Sequence, residues 1–117
     1  FPESARTLAL MGADILCHPS NLVLPNCPDS MPVRCLENRV FAVTCNRIGT
    51  EARGGKEALT FIGNSEIVSS RGVILQRAPR DREELAVVDI DPAEARNKSL
   101  TRYNDLLGDR RPSLYGK

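Results

Sequence analysis

Twice within the first 45 residues the apolar pattern switches from a helical to a strand period, and this alternation restricts the fold more than any other feature. From Ser4, residues Ala5, Leu8, Ala9 and Gly12 keep the i, i+3, i+4, i+7 spacing of one helical face, and Gly12 is a natural stop. Ile15-Leu16-Cys17 then forms a short apolar run suited to a buried strand that feeds a loop. Pro19, Pro25 and Pro28 remove backbone donors and predict that this loop runs to about Ser30. Asp29 or Ser30 caps a second helix, with Pro32 in its first turn and Val33, Leu36 and Val40 as its apolar stripe. β-Branched and aromatic residues rise over 40–45, which predicts a strand ending at Asn46-Arg47-Ile48-Gly49.

The second half continues in short pieces. Residues 51–56 are polar, contain Gly54-Gly55 and read as an exposed loop. Ile67-Val68 and Val73-Ile74-Leu75 flank Ser69-Ser70-Arg71-Gly72, the pattern of a hairpin. The run from Leu85 to Ile90 predicts a further strand, and Asp91-Pro92-Ala93-Glu94 carries the signals of a helix start, with the helix running to about Lys98. The tail, 101–117, is charged but keeps Tyr103, Leu106, Leu107, Leu114 and Tyr115, so it needs a surface to lie on. Helices alternating with strands argue for an α/β layered fold.

Sixteen basic and fifteen acidic residues are mixed along the chain and give a net charge of +1, which leaves no electrostatic footprint for nucleic acid or anionic lipid. No apolar run approaches the ~20 residues of a bilayer-spanning helix, so no membrane partner is expected. The chain opens on Phe1 rather than Met, and a natural start upstream is expected. Cys17, Cys27, Cys35 and Cys45 include no Cys-x-x-Cys pair, a poor spacing for zinc. Cys17, Cys35 and Cys45 stand among apolar neighbours and read as small buried hydrophobes, free thiols of a reducing cytoplasm rather than the two disulfides of a secreted domain.

The residues offer little internal chemistry. His18 is the single imidazole and follows Cys17 directly. Neighbours on a strand point to opposite faces, so the two make a poor nucleophile and base. Gly63-Asn64-Ser65-Glu66-Ile67 has Ile where a nucleophile elbow needs its second glycine, and Ser65 reads as structural. Phosphate-loop, His-Glu-x-x-His and calcium-loop motifs are absent, so neither a metal nor a cofactor is expected.

Phe1-Pro2-Glu3, followed by Arg6, Leu8-Ala9 and Gly12-Ala13-Asp14, resembles the segment after the catalytic cysteine of the nitrilase superfamily of carbon-nitrogen hydrolases, whose pattern is Cys-x-Asp-x-x-Phe-Pro-Glu. His18-Pro19-Ser20-Asn21-Leu22-Val23 resembles the family's pocket loop, and Met31-Pro32-Val33-Arg34 with Leu36-Glu37-Asn38-Arg39 its next helix. Asn46-Arg47-Ile48-Gly49, Phe61-Ile62-Gly63-Asn64-Ser65 and the strand from Leu85 resemble its closing strands. Tyr103-Asn104-Asp105-Leu106 with Asp109-Arg110-Arg111-Pro112 resembles its terminal tail.

The resemblance implies that residues 1–117 are the C-terminal part of a four-layer αββα sandwich. Its nucleophilic cysteine would stand five residues before Phe1, with a lysine and a glutamate earlier still, so no catalytic residue is expected here and these residues alone should be inactive. The parent would cleave a nitrile or a linear amide or carbamoyl C–N bond through a cysteine thioester. Asn21, Leu22, Val23, Leu24 and Pro25 would line the pocket for a small nitrile or amide, against the alternative of an ordinary surface loop. Glu3 and Glu37 would support the site, although a helix-dipole position and a solvated helix face are competing roles. Residues 4–12 and 32–40 would form the surface of a homodimer or higher homo-oligomer. A non-catalytic binding or assembly module on the same fold is the alternative function.

Overall fold

The computed structural model describes residues 1–115; the last two residues of the expected tail, 116–117, lie outside them. Helix α1 (Pro2–Leu10) leads to strand β1 (Ile15–Ser20), helix α2 (Asn26–Asn38) and strand β2 (Phe41–Asn46). A small hairpin, β3 (Thr50–Glu51) with β4 (Leu59–Thr60), precedes β5 (Glu66–Val68) and β6 (Ile74–Arg77). A short helix α3 (Ala93–Arg96) and a second small hairpin, β7 (Ser99–Thr101) with β8 (Asn104–Asp105), complete the regular elements before a single 3-10 turn at Pro112–Leu114. The principal sheet has the order β1-β2-β5-β6, with β1 and β2 parallel and the remaining pairs antiparallel.

Each boundary has a local cause. Pro2 occupies the first turn of α1, where its missing N–H has no intrahelical partner, and Gly12 at φ +92° ends the helix as the sequence predicts. Pro19 lies within β1, an edge strand, where a missing donor is tolerated. The β5–β6 hairpin turns on Ser69: its N–H donates to Val73 O (2.8 Å), and its Oγ accepts from Val73 N (3.0 Å). Gly72 must be glycine there, because it sits at φ +75° and a Cβ would stand 2.6 Å from the Pro32 carbonyl oxygen of α2.

Four expectations require correction. Helix α2 starts at Asn26 rather than near Asp29: Pro28 falls in its first turn, where a proline costs no helical hydrogen bond, so it does not extend the loop. The inward stripe of α2 is Pro28, Met31, Cys35 and Asn38, whereas Val33 and Leu36 are 50% and 54% exposed. Val40 is buried, but beyond the helix end, after Arg39 takes a left-handed conformation at φ 49°. Leu85 to Ile90 forms no strand; it pairs with no neighbour, and Leu85 and Val87 are 92% and 84% exposed. Of the three cysteines expected to be buried, only Cys35 is; Cys17 and Cys45 are exposed because they lie on the sheet face that no helix covers.

That asymmetry organises the molecule. Helices α1 and α2 cover one face of the sheet, where Ala5, Ala9, Met31 and Cys35 pack on Leu16, Ala42 and Val68. Asn38 is fully buried and donates from Nδ2 to Arg34 O (2.8 Å). Lys98 anchors the later segment beneath α2, donating from Nζ to Asn38 O (2.9 Å) and Arg39 O (2.8 Å), the free carbonyls of the helix end. On the other face, Ile15, Cys17, Val43 and Cys45 are exposed.

Candidate functional site: a clasped loop at the carboxyl ends of two parallel strands

The loop from Asn21 to Pro25 leaves the carboxyl end of β1, beside the carboxyl end of β2, where parallel strands commonly place a ligand crevice. It is held chiefly by Asn46, the last residue of β2. Its Oδ1 accepts from Leu22 N (2.7 Å) and Ser20 Oγ (3.4 Å), and its Nδ2 donates to Gly63 O (2.8 Å) and Leu22 O (3.3 Å). Leu22 O also accepts from Ile62 N (3.0 Å). Ser65 has the structural place the sequence suggests: its Oγ accepts from Asn46 N (2.9 Å) and donates to Asn46 O (3.3 Å). Arg47 stacks on Phe61 at 4.2 Å from the ring centre, closing the same corner. Leu22 and Val23 are half-buried, and Asn21, Leu24 and Pro25 are exposed.

Cys17 and His18 point to opposite sheet faces, as expected of strand neighbours. The thiol near the imidazole is instead Cys27, whose Sγ lies 4.0 Å from His18 Nδ1; Thr44 Oγ1 lies 3.3 Å from the same nitrogen. Spacing gave no sign of this pair, because the loop and the start of α2 bring Cys27 back over β1. Burial, followed by the charge of Glu66, pushes the Cys27 thiol up. Cys27 therefore stays a neutral thiol rather than an activated nucleophile. A concavity of about 520 Å³ runs along the free edge of β1, lined by Ala5, Leu8, Leu16, His18, Cys27 and Met31 among others.

Glu3 and Glu37 lie elsewhere, together in a shallow concavity of about 410 Å³ with Arg6, Arg110 and Tyr115, which none of residues 21–25 lines. Arg6 Nη2 of α1 donates to the Glu37 backbone O (2.7 Å), which links the two helices, while the Glu37 carboxylate Oε1 accepts from Arg34 Nη1 (2.6 Å) within α2. A carboxylate not singled out from the sequence, Glu66, is buried on the helix side of the sheet. Its Oε2 accepts from Arg77 Nε (3.0 Å) and Nη2 (2.7 Å), while Oε1 is buried with no partner in the protein. Burial raises the Glu66 carboxyl above its ordinary value, outweighing Arg77. The same burial, with Glu66 nearby, pushes Cys35 up to about 12. Among the described residues, no three His, Cys, Asp or Glu side chains gather to hold a metal ion, and no helix is long and apolar enough to cross a membrane.

This arrangement of helices on a parallel strand pair, with a clasped loop at its carboxyl end, has close counterparts, and the chain belongs to the carbon-nitrogen hydrolase family, whose sequence pattern matches residues 1–98. The match stops short of the expected tail. A nitrilase of Pyrococcus abyssi is 50% identical over 115 residues, covering 98% of this chain and 42% of that protein. An (R)-stereoselective amidase of a Pseudomonas species is 35% identical, covering 100% and 41%, and an N-carbamoylputrescine amidase of rice (Oryza sativa subsp. japonica) is 35% identical, covering 98% and 42%. Among solved structures, a carbon-nitrogen hydrolase of Helicobacter pylori G27 superposes with a TM-score of 0.80 at 26% identity, over 98% of this chain and 44% of that one. An amidase of Nesterenkonia sp. AN1, described with the acetamide moiety of fluoroacetamide added covalently at its active-site cysteine, gives 0.71 at 28% identity, over 97% and 38%. The chain thus carries part of the nitrilase fold and spans about two-fifths of the length of the curated relatives it matches.

Proposed function

We propose that this chain is the C-terminal part of a cysteine-dependent carbon-nitrogen hydrolase acting on a small nitrile, linear amide or carbamoyl amine. The observation that carries the reading is the clasped loop at the carboxyl ends of β1 and β2, in a chain half identical to a nitrilase. The nucleophile belongs five residues before Phe1, with lysine and glutamate further upstream. The glutamate takes the thiol proton, the thiolate attacks the nitrile or amide carbon, and the lysine stabilises the negative charge that develops. With an amide, the protonated glutamate returns its proton to the departing ammonia or amine and a thioester remains. With a nitrile, the first adduct is a thioimidate, which takes up water and loses ammonia to give the same thioester. A further water then releases the acid and restores the thiol.

Asn21, Leu22, Val23, Leu24 and Pro25 form one wall of the pocket, and its aliphatic side chains with a single carboxamide favour a small aliphatic substrate. Glu3 and Glu37 support the site indirectly, Glu3 in the first turn of α1, where negative charge suits the helix dipole, and Glu37 by pairing its carboxylate with Arg34 on α2. The concavity along the free edge of β1 fits a preceding parallel strand, because a strand entering α1 by a right-handed crossover reaches that edge. The upstream half of the parent then covers the open sheet face and completes four αββα layers. Exposed Leu8, Leu10, Val33 and Leu36 on α1 and α2 favour a homodimer through those helices. Four free thiols accord with a reducing cytoplasm.

The test is ammonia release by the full-length protein on a panel of nitriles, amides and carbamoyl amines. Release is expected on at least one class, with loss of turnover when the upstream cysteine is replaced by alanine. Absence of release across the panel, or another residue at the cysteine position, would support a non-catalytic binding or assembly module instead.

A further inference from the structure

We propose that Asn46 is a positioning residue of the substrate pocket: its carboxamide fixes the loop 21–25 above the strand ends and so sets the acyl length that the pocket accepts. The inference rests on the reading of that loop as pocket wall. The residue is 9% exposed, and both its side-chain oxygen and its side-chain nitrogen are engaged twice. It grips both the N–H and the C=O of Leu22 as a neighbouring strand would, and reaches across to Gly63 O with its second N–H.

The far side of this clasp is itself fixed. Gly63 has φ +57°, and a Cβ there would stand 2.5 Å from the Arg80 carbonyl oxygen, so residues 79–80 press directly on its backbone. Asn64 follows at φ 54° and donates from N to Pro79 O (3.3 Å). The turn at 63–64 is therefore a rigid abutment, and Asn46 transmits its position to Leu22. Apart from Asn46 and the Ile62 N–H bond to Leu22 O (3.0 Å), the loop has little to hold it, since Asn21, Leu24 and Pro25 are exposed and Leu22 and Val23 only half-buried. Serine is too short to span Leu22 and Gly63; the substitution leaves the half-buried Leu22 N–H and the buried Gly63 C=O without the Asn46 carboxamide, while Leu22 O keeps Ile62 N.

The experiment uses the full-length protein and straight-chain amides from acetamide to hexanamide. Asn46→Ser is expected to raise KM about tenfold or more with kcat changed by less than about threefold, and to flatten the dependence of kcat/KM on chain length. Lys98→Ala, which loosens the fold far from the loop, should leave that profile unchanged. If Asn46→Ser does not fold, Ser65→Ala, which frees the Asn46 backbone, makes the same test with an expected KM rise of about threefold. An unchanged KM and length profile, while Leu24→Ala shifts the profile, would overturn the positioning role and leave the pocket intact. If Leu24→Ala has no effect either, the pocket reading itself fails, and the inference with it.

Discussion

The helix-covered face of the sheet and its bare face are built from the same four strands, yet they are finished to different degrees. On the covered face, Ala42 and Val68 are fully buried under α2, Leu16 nearly so, and the buried polar side chains are partly paired: Glu66 Oε2 accepts from Arg77 and Asn38 Nδ2 donates to Arg34 O, while Glu66 Oε1 and Asn38 Oδ1 have no partner in the protein. On the bare face, Val43, Cys17 and Cys45 meet solvent, with Ile67 half-covered, although their residue types suit a core. A run of aliphatic and thiol side chains on an exposed face marks a surface meant for contact. The difference teaches that the chain encodes one complete helix-on-sheet interface and half of a second.

The largest effect should compare the two faces. Val68→Ala opens a cavity on the covered face and should cost roughly 2 kcal/mol in the full-length protein. Val43→Ala, at a residue 37% exposed in this chain, should cost a comparable amount in the full-length protein only if the bare face is covered there. Urea denaturation of both full-length variants checks this, and a neutral Val43→Ala would break the reading of the bare face as half an interface.

The next effect sharpens the picture of the covered face through pH. Because burial raises the folded-state Glu66 carboxyl, the native state binds more protons than the unfolded chain between the ordinary carboxylate value and the raised one. Its favourable contribution is therefore complete below the ordinary carboxylate range and is lost as pH rises through the raised pKa. Glu66→Gln should flatten that decline, as read by thermal melts across the acid to neutral range. A slope identical to wild type would show that Glu66 is not the titrating group.

A smaller effect belongs to Lys98. Lys98→Ala leaves two helix-end carbonyls without their cation and should cost about 1 kcal/mol, read as faster amide exchange over α2 and the start of β2.

The elements that sequence patterns reveal are those whose signal is local. The order of α1, β1, α2 and β2 follows from the switch between helical and strand periods, and the β5–β6 hairpin follows from Ser69 and Gly72. The phase of α2 was hidden because the residues it turns inward include Cys35 and Asn38, whereas aliphatic Val33 and Leu36 face outward. The run from Leu85 to Ile90 has strand-like composition but no neighbour to pair with, and β propensity measures fit to a neighbour. At the candidate site, residues 21–25 were identified by resemblance to a family. The clasp that holds them joins residues 17 to 24 apart through a side chain, and such contacts leave no periodicity to read.

The central claim is that the bare face is half of an interface, and sedimentation velocity on the isolated chain tests it most directly. Self-association or loosely packed species are expected, shifted toward monomer when Val43 and Ile67 are both replaced by lysine. A monomeric wild-type chain with a cooperative thermal transition would contradict that claim.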